Sequence, residues 1–275
     1  MLTFKDPVKR LGKLCALTSS CALISASMST GVSASSQAVT CLTDSPVEIV
    51  RVLRVADGDT IVLRDQRRVR IIGINTLELN SKDPTNRHLA QRAKASLENF
   101  LMQGSPVLIQ GVDTHDRHGR ALAHVRLTNG QDAAQTLIEQ GLGLAVGIGE
   151  NTRCAGTLAT LEQRARDNAR GLWRQPGNWY LDVDRLSGTE RGFHVVKSVI
   201  GSVLGNGSGK ALALRNGLHV KLGNAAAQLE NESGHALESW IGQSVEVRGW
   251  LSSRNGRTSL TLHHAGNLRR LDVNH

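Results

Sequence analysis

Three oxygen-bearing side chains stand near the two open ends of a predicted β-hairpin. Asp59 opens the first strand of the segment 57–78, and Asn75 and Glu78 follow its return strand. Because a hairpin turns the chain back on itself, residues near its open ends can become neighbours. Oxygen donors suit a hard cation such as Ca²⁺, and Arg70 on the return strand would add a guanidinium suited to a phosphate. The alternative is a solvated hairpin with charged ends.

A second segment, residues 116–123, supplies another arginine at a fixed distance from a turn. Gly119 predicts the turn and Arg120 opens the strand that follows. Two arginines, a carboxylate base and a cation together are the groups that phosphodiester hydrolysis needs.

Five motifs make the sequence resemble the staphylococcal-nuclease-like (thermonuclease) family over residues 47–174. They are Asp57-Gly58-Asp59-Thr60, Arg70 to Glu78, Asp116 to Arg120, Gln140-Gly141-Leu142 and Gly171-Leu172-Trp173. They occur in the order and approximate spacing of the family. The resemblance implies a mainly β fold with α (α+β), in which a five-stranded OB barrel carries three helices.

The resemblance also implies Ca²⁺-dependent hydrolysis of DNA or RNA, with one bound ion and 3′-phosphate products. Asp59, Asn75 and the carbonyl oxygen of Thr76 would be the protein ligands of the ion. Glu78 would orient or deprotonate the attacking water.

The remaining roles implied by the resemblance fall to basic side chains. Arg70 would bind the phosphate in the ground and transition states, and Arg120 would stabilise the charge of the pentacoordinate phosphorus. Arg117 and His118 are candidate substrate-binding residues beside them.

Several positions depart from the family pattern. Asn75 stands where the family has an aspartate, which predicts weaker Ca²⁺ binding because ligand charge sets affinity. Leu77 replaces a proline before the glutamate. The tyrosines that hold the nucleotide are missing, with Gly147 and Gly149 in that loop and His118 at the third aromatic position.

The order of predicted elements is three strands, a helix and two strands, as in an OB barrel, and it occurs twice. The first copy is followed by two further helices. The predicted strands and helices of the first copy are 47–55, 60–64, 69–74, 88–102, 107–112, 120–127, 132–140 and 155–170. A polar loop containing Pro84 is predicted at 80–86. A linker is expected at 175–192, and a second, smaller OB-like domain at 193–275 with elements 193–203, 211–215, 218–222, 225–240, 244–251 and 258–263.

Large aromatic and basic residues of this second domain are candidates for nucleic-acid contact, because OB folds often bind single-stranded nucleic acid. They are Trp240, Trp250, Arg248, Arg254 and Arg257. Both tryptophans are expected in the core, because large aromatic side chains are mostly buried.

Residues 1–34 have the basic start, short apolar run and small-residue cleavage site of a secretory signal peptide, with a disordered tail as the alternative. Residues 35–46 form a Ser/Thr-rich arm.

Beyond the signal, the cysteines are Cys41 and Cys154, which in an exported protein are a candidate disulfide; two free thiols are the alternative. A secreted or periplasmic location is expected, without stable membrane insertion.

The formal charge of +9 suits a polyanionic partner. An exported nuclease acting on DNA or RNA is the first hypothesis, and a nuclease-fold protein that binds nucleic acid with weak catalysis is the second. A structural envelope protein with a basic surface is the third. A monomer is expected, and no protein partner is predicted.

Overall fold

The computed structural model describes residues 41, 46–174, 176–177, 179–182, 184, 186, 190–254 and 257–271. The predicted signal peptide lies outside these residues, as does most of the arm 35–46. The described residues all belong to one compact unit. None of their helices is both long and apolar enough to cross a membrane.

Fifteen strands and four α-helices run through the described residues. The elements before the predicted linker are β1 (Val47–Ile49), β2 (Val52–Asp57), β3 (Thr60–Leu63), β4 (Arg68–Ile71), β5 (Ile74–Asn75), α1 (Pro84–Leu101), β6 (Pro106–His115), β7 (Ala121–Leu127), α2 (Ala133–Glu139), β8 (Leu144–Ala145) and α3 (Ala155–Asp167). The remaining elements are β9 (Tyr180–Asp182), β10 (Gly192–Leu204), β11 (Ala211–Leu214), β12 (His219–Lys221), α4 (Ala225–Ser233), β13 (Ser244–Arg254), β14 (Arg257–Thr261) and β15 (Leu268–Arg270).

The first sheet closes into a five-stranded, OB-like barrel, which we call the N-terminal barrel. Its strand order is β1-β6-β7-β4-β3-β2, and β1 and β2 are successive parts of one stretch of chain, so β6 and β3 flank that stretch and complete the ring. The pairing of β4 with β7 is parallel. The predicted five-stranded OB barrel is therefore confirmed for this part of the chain, which combines β-strands with α-helices.

The second sheet, which we call the C-terminal sheet, contains β9 to β15. Strand β10 pairs with β11 and β13, β11 with β12, β12 with β14 in parallel, and β14 with β13. These pairings also form a ring of five strands, with α4 between β12 and β13. Buried apolar residues including Val196, Leu212 and Val247 fill it.

Helix α1 begins at Pro84, before the predicted start at residue 88 and inside the predicted polar loop 80–86. The Asp83 carboxylate caps its first turn by accepting a hydrogen bond from Thr85 N at 2.8 Å. Pro84 occupies the start of the helix, where a missing N–H costs nothing because that group has no helical acceptor. The helix buries Ala93, Leu97 and Phe100 against the barrel.

The segment predicted as a linker contains ordered structure. Tyr180–Asp182 forms β9 and pairs in parallel with β10, and Trp179 is only 2% exposed. The Trp179 ring packs edge-to-face on Trp173, with ring centroids 5.1 Å apart. Burial of a large indole outweighed the Pro, Gly and Asn signals that predict an exposed connection.

A disulfide joins Cys41 to Cys154 across 113 residues of sequence, as predicted. It attaches the arm before β1 to the residue that precedes α3. A cross-link over so long a loop stabilises the fold mainly by restricting the unfolded chain.

Four charged side chains join the N-terminal barrel to the C-terminal sheet, and we call them the interface cluster: Glu162 and Arg166 on α3, and Glu246 and Arg248 on β13. Arg248 forms ion pairs of 2.7 Å with both Glu162 and Glu246. Arg166 forms ion pairs of the same length with the same two carboxylates. Arg248 also donates to Ala145 O at 2.8 Å, while Glu162 accepts from Ala145 N at 2.6 Å. Burial alone would raise the pKa of Glu246, but the surrounding guanidinium groups hold it at about 2.

Arg248→Leu is expected to lower the free energy of unfolding by about 3–5 kcal/mol at pH 8, because two buried carboxylates lose a cation. The loss should shrink towards pH 4, since Glu162 and Glu246 in the variant can become neutral by taking up protons. Chemical denaturation at both pH values measures it. Arg254→Leu, at an exposed position of the same strand, is the matched control and should change stability by about 0.5 kcal/mol at most.

Candidate active site

The turn between β2 and β3 holds Asp59 against the start of the loop after β5. A Cβ atom at Gly58 would lie only 2.7 Å from the Cβ of Ala93 in α1, so glycine allows this turn to pack closely on the helix. Asp59 is 7% exposed. Its Oδ2 accepts hydrogen bonds from Thr76 N at 2.9 Å and Thr76 Oγ1 at 3.2 Å, and its Oδ1 accepts from Thr60 Oγ1 at 3.0 Å.

Arg70 lies buried beside the same carboxylate. Its Nη2 is 3.1 Å from Asp59 Oδ2 and donates to Asn75 Oδ1 at 3.0 Å, while its Nη1 donates to Ile71 O at 2.8 Å. Burial lowers the pKa of this guanidinium, and the charge of Asp59 opposes that effect. Asn75 belongs to β5, whose pairing with β8 fixes the position of its backbone.

Two further carboxyl groups line the same cavity. Partial burial and the negative charge of Asp59 raise the pKa of Glu78, although its side chain remains exposed at the cavity mouth. Burial also raises the pKa of Asp57 to about 6, and Asp59 and Glu78 add to that rise. Asp57 is not among the predicted site residues, although it belongs to the same Asp-Gly-Asp motif as Asp59.

Arg120 is oriented by the tight turn between β6 and β7. Gly119 occupies that turn with φ +73°, a conformation that glycine adopts without strain. Asp116 Oδ1 accepts from the backbone N–H groups of His118 and Arg120 at 2.8 and 3.0 Å, and its Oδ2 accepts from Arg120 Nε at 2.7 Å. The Arg120 Nη1 group reaches Thr60 Oγ1 at 3.4 Å, which connects it to Asp59.

The predicted site residues meet around one cavity of about 490 Å³. Its lining includes Asp59, Arg70, Asn75, Glu78, His118 and Arg120. Thr76 lies behind this lining, where it holds Asp59 by two hydrogen bonds. Arg117 lines an adjoining cavity of about 290 Å³, which shares Arg70, His118 and Arg120 with the first.

The oxygen atoms near Asp59 are suited in type to a hard cation. The Asp59 carboxylate, the Asn75 side-chain oxygen and the Thr76 carbonyl are close enough to be connected by hydrogen bonds: Asn75 Nδ2 donates to Thr76 O at 3.3 Å, and Arg70 bridges Asn75 and Asp59. Among the described residues, no cluster of three or more His, Cys, Asp or Glu side chains is arranged to hold a metal. An ion here would therefore depend on one carboxylate, neutral oxygens and water.

Trp250 is the residue of this region that sequence reasoning placed wrongly. It was expected in the core, but its indole is half-buried and lines both cavities beside Arg70, His118 and Arg120. Trp240, in contrast, is 4% exposed, as expected. Arg248, a candidate for nucleic-acid contact, is buried in the interface cluster instead. The sequence did contain a signal for the position of Trp250. Glu246 and Arg248 are charged residues at alternate positions of β13, so the strand face that they share with residue 250 is polar.

The glycine loop after β8 contacts the C-terminal sheet. Gly147 N donates to Asn267 Oδ1 at 2.9 Å, and Asn267 Nδ2 donates to Gly147 O at 2.7 Å. A Cβ atom at Gly147 would lie 2.7 Å from the His264 ring. A side chain of any size would therefore push the two parts of the protein apart, which explains the glycine at this position.

Comparisons with known proteins agree with this geometry. The family model of the staphylococcal nuclease homologues matches residues 68–175, which include Arg70, Glu78 and Arg120 but not Asp59. Two Escherichia coli proteins, one of them from O157:H7, are each named "Uncharacterized endonuclease". Each is 30% identical to this chain over 126 residues, which is 45% of this chain and 75% of the relative.

Two conservative substitutions should separate the buried and the exposed carboxylate of the site. Asp59→Asn is expected to lower the free energy of unfolding by about 3 kcal/mol, because buried Arg70 loses its charged partner. Glu78→Gln is expected to change it by about 0.5 kcal/mol at most, since the side chain is exposed. Urea denaturation without added metal measures both; equal losses in the two variants would contradict the assignment of Asp59 as the structural partner of Arg70.

Proposed function

This chain belongs to the staphylococcal nuclease family, and from that premise we propose that it is an exported, Ca²⁺-dependent nuclease that hydrolyses phosphodiester bonds of DNA or RNA. The observation that carries the proposal is the convergence of Asp59, Arg70, Glu78 and Arg120 on one cavity. The names of the two Escherichia coli relatives agree with endonucleolytic cleavage.

In the proposed reaction each polar group has one task. Glu78 at the cavity mouth accepts a proton from the attacking water. Its pKa is raised in the direction of neutral pH, and a general base works best when its pKa is close to the working pH. Arg70 binds the phosphate. Arg120 stabilises the charge that develops on the pentacoordinate phosphorus, held in position by Asp116. The expected products end in 3′-phosphate.

A calcium ion would be held by Asp59, Asn75 and the carbonyl of Thr76, with water completing its shell. When bound, the ion would supply positive charge beside the phosphate and the attacking water. The neutral amide of Asn75 would make this binding weaker than at a site with two carboxylates.

Several further features support an exported nucleic-acid enzyme. The disulfide between Cys41 and Cys154 suits an oxidising compartment such as the periplasm or the cell exterior, and we assign residues 1–34 as a signal peptide. The ring of strands β10 to β14 supports a second OB-like domain after residue 192, and α1 to α3 would be the three helices of the first. We propose a monomer, with DNA or RNA as its partner.

A second candidate is a nucleic-acid-binding protein with weak catalysis. It is favoured by the contacts of Arg70, which donates to Asn75 and faces Asp59 at once. These contacts compete with both a cation and a phosphate. Cleavage, rather than binding, distinguishes the two functions, because both predict affinity for polyanions.

The full chain is expected to cleave single-stranded DNA with Ca²⁺ and to stop when EDTA removes the ion. Glu78→Gln and Arg120→Ala should each lower kcat by about 10²–10³-fold, because each removes a group acting in the transition state. Gel assays with an end-labelled oligonucleotide measure the rates. Arg92→Ala, at an exposed position of α1, is the control. Absence of cleavage in millimolar Ca²⁺ with binding intact would reject the enzyme and favour the second candidate.

Asn75→Asp is expected to tighten Ca²⁺ binding by about tenfold or more, because a second carboxylate adds charge to the ligand set. Isothermal titration with Ca²⁺ measures this directly, without any substrate. Asn75→Ala should weaken binding in the same titration. An unchanged affinity in both variants would exclude residue 75 from the metal site.

A further inference from the structure

We propose that Trp250 of the C-terminal sheet stacks on an unpaired nucleobase next to the phosphate to be cleaved, so that the substrate site is shared between the two parts of the protein. This inference rests on the proposed nuclease function. It adds a substrate-binding residue that lies beyond residues 68–175, the range matched by the family model.

The register of β13 places Trp250 at the site. Alternate residues of a strand point to one face, and Glu246, Arg248 and Trp250 are alternate residues. Glu246 and Arg248 face α3 of the N-terminal barrel through ion pairs of 2.7 Å. The next residue on that face is therefore directed towards the same barrel, where it lines the cavity with Arg70 and Arg120.

The surroundings of Trp250 combine an aromatic face with cationic groups, which is the chemistry of single-stranded nucleic-acid binding. Arg70, His118 and Arg120 line both cavities with it. Arg117 also lines the second cavity, where burial lowers the pKa of the His263 imidazole and the charge of Arg117 adds to that effect. A base on the indole would leave its phosphate within the arginine-lined cavity.

The indole is held in place by its neighbours. Phe193, its partner across the β10–β13 pairing, packs edge-to-face on it with centroids 5.0 Å apart. His263 packs similarly at 6.1 Å. A ring fixed in this way loses little conformational freedom when a base binds, which favours affinity.

Trp250 also stands where the N-terminal barrel offers no stacking side chain of its own. Among the described residues, the lining of the two cavities contains no Phe, Tyr or Trp other than Trp250. The loop after β8 carries glycine at residue 147 because His264 occupies the adjacent space. The C-terminal sheet thus takes the room that a side chain in that loop would need and supplies an aromatic ring nearby.

Binding to a cleavage-defective chain tests the inference without depending on catalysis. In the full-length Glu78→Gln protein, fluorescence anisotropy would measure the Kd of a single-stranded oligothymidylate and of an abasic strand of the same length and charge. We expect Trp250→Ala to weaken oligothymidylate binding by about 10- to 100-fold and to leave the abasic strand unaffected. Trp250→Phe should restore most of the affinity. Thermal unfolding confirms that each variant is folded.

Arg117→Ala is the matched control, since it removes a charge from the same cavity without removing an aromatic ring. It should weaken both strands alike and reduce the slope of log Kd against log salt by about 0.7. An equal effect of Trp250→Ala on the two strands, or no effect on either, would overturn the stacking inference.

Cleavage by the unsubstituted chain, measured alongside, separates this inference from the proposed function. Cleavage that needs Ca²⁺, together with no base-dependent loss in Trp250→Ala, keeps the nuclease and overturns the stacking role. A base-dependent loss without any cleavage supports the stacking role and overturns the proposed hydrolysis.

Discussion

The interface cluster is the constraint on which the arrangement of this protein depends. Glu162, Glu246 and Arg248 are buried and Arg166 is partly buried, and separately each would carry a desolvation cost. They are tolerable only when α3 and β13 come together, so the cluster specifies one relative placement of the two parts. Through Ala145 the same cluster holds β8, and β8 in turn holds β5, which carries Asn75. An interaction remote from the cavity thus positions one of its walls.

The charged groups that line the cavity only partly balance one another. Asp59 and Arg70 are buried side by side and offset each other's charge, and Thr76 supplies the hydrogen bonds that keep the carboxylate in place. At Asp57 and Glu78, burial and the nearby carboxylates outweigh the attraction of Arg70, and the pKa values of both groups are raised. Partly buried carboxylates beside an ion pair are what a cation or an incoming proton can stabilise.

Two rings of five strands contribute different groups to one surface. The N-terminal barrel supplies charge, through the turns that follow β2 and β6 and the loop after β5. The C-terminal sheet supplies a large aromatic surface from a long strand, where edge-to-face contacts with Phe193 and His263 hold the ring in place. Gly147 is part of this arrangement, because a residue without a side chain permits the close contact between its loop and His264.

The sequence by itself determined the charged groups of the site and the elements that carry them. The site residues that the sequence predicts lie beside turns and strands, and these elements are predicted by glycines and by apolar alternation in the neighbouring residues. They are Asp59, Arg70, Glu78 and Arg120. The tertiary structure alone decided the position of Trp250 and the burial of Arg248, which pairs with Glu162 across 86 residues. Local periodicity reports which face of a strand is apolar, but not which distant surface covers a polar face. That choice depends on desolvation of charges that meet only in the folded chain.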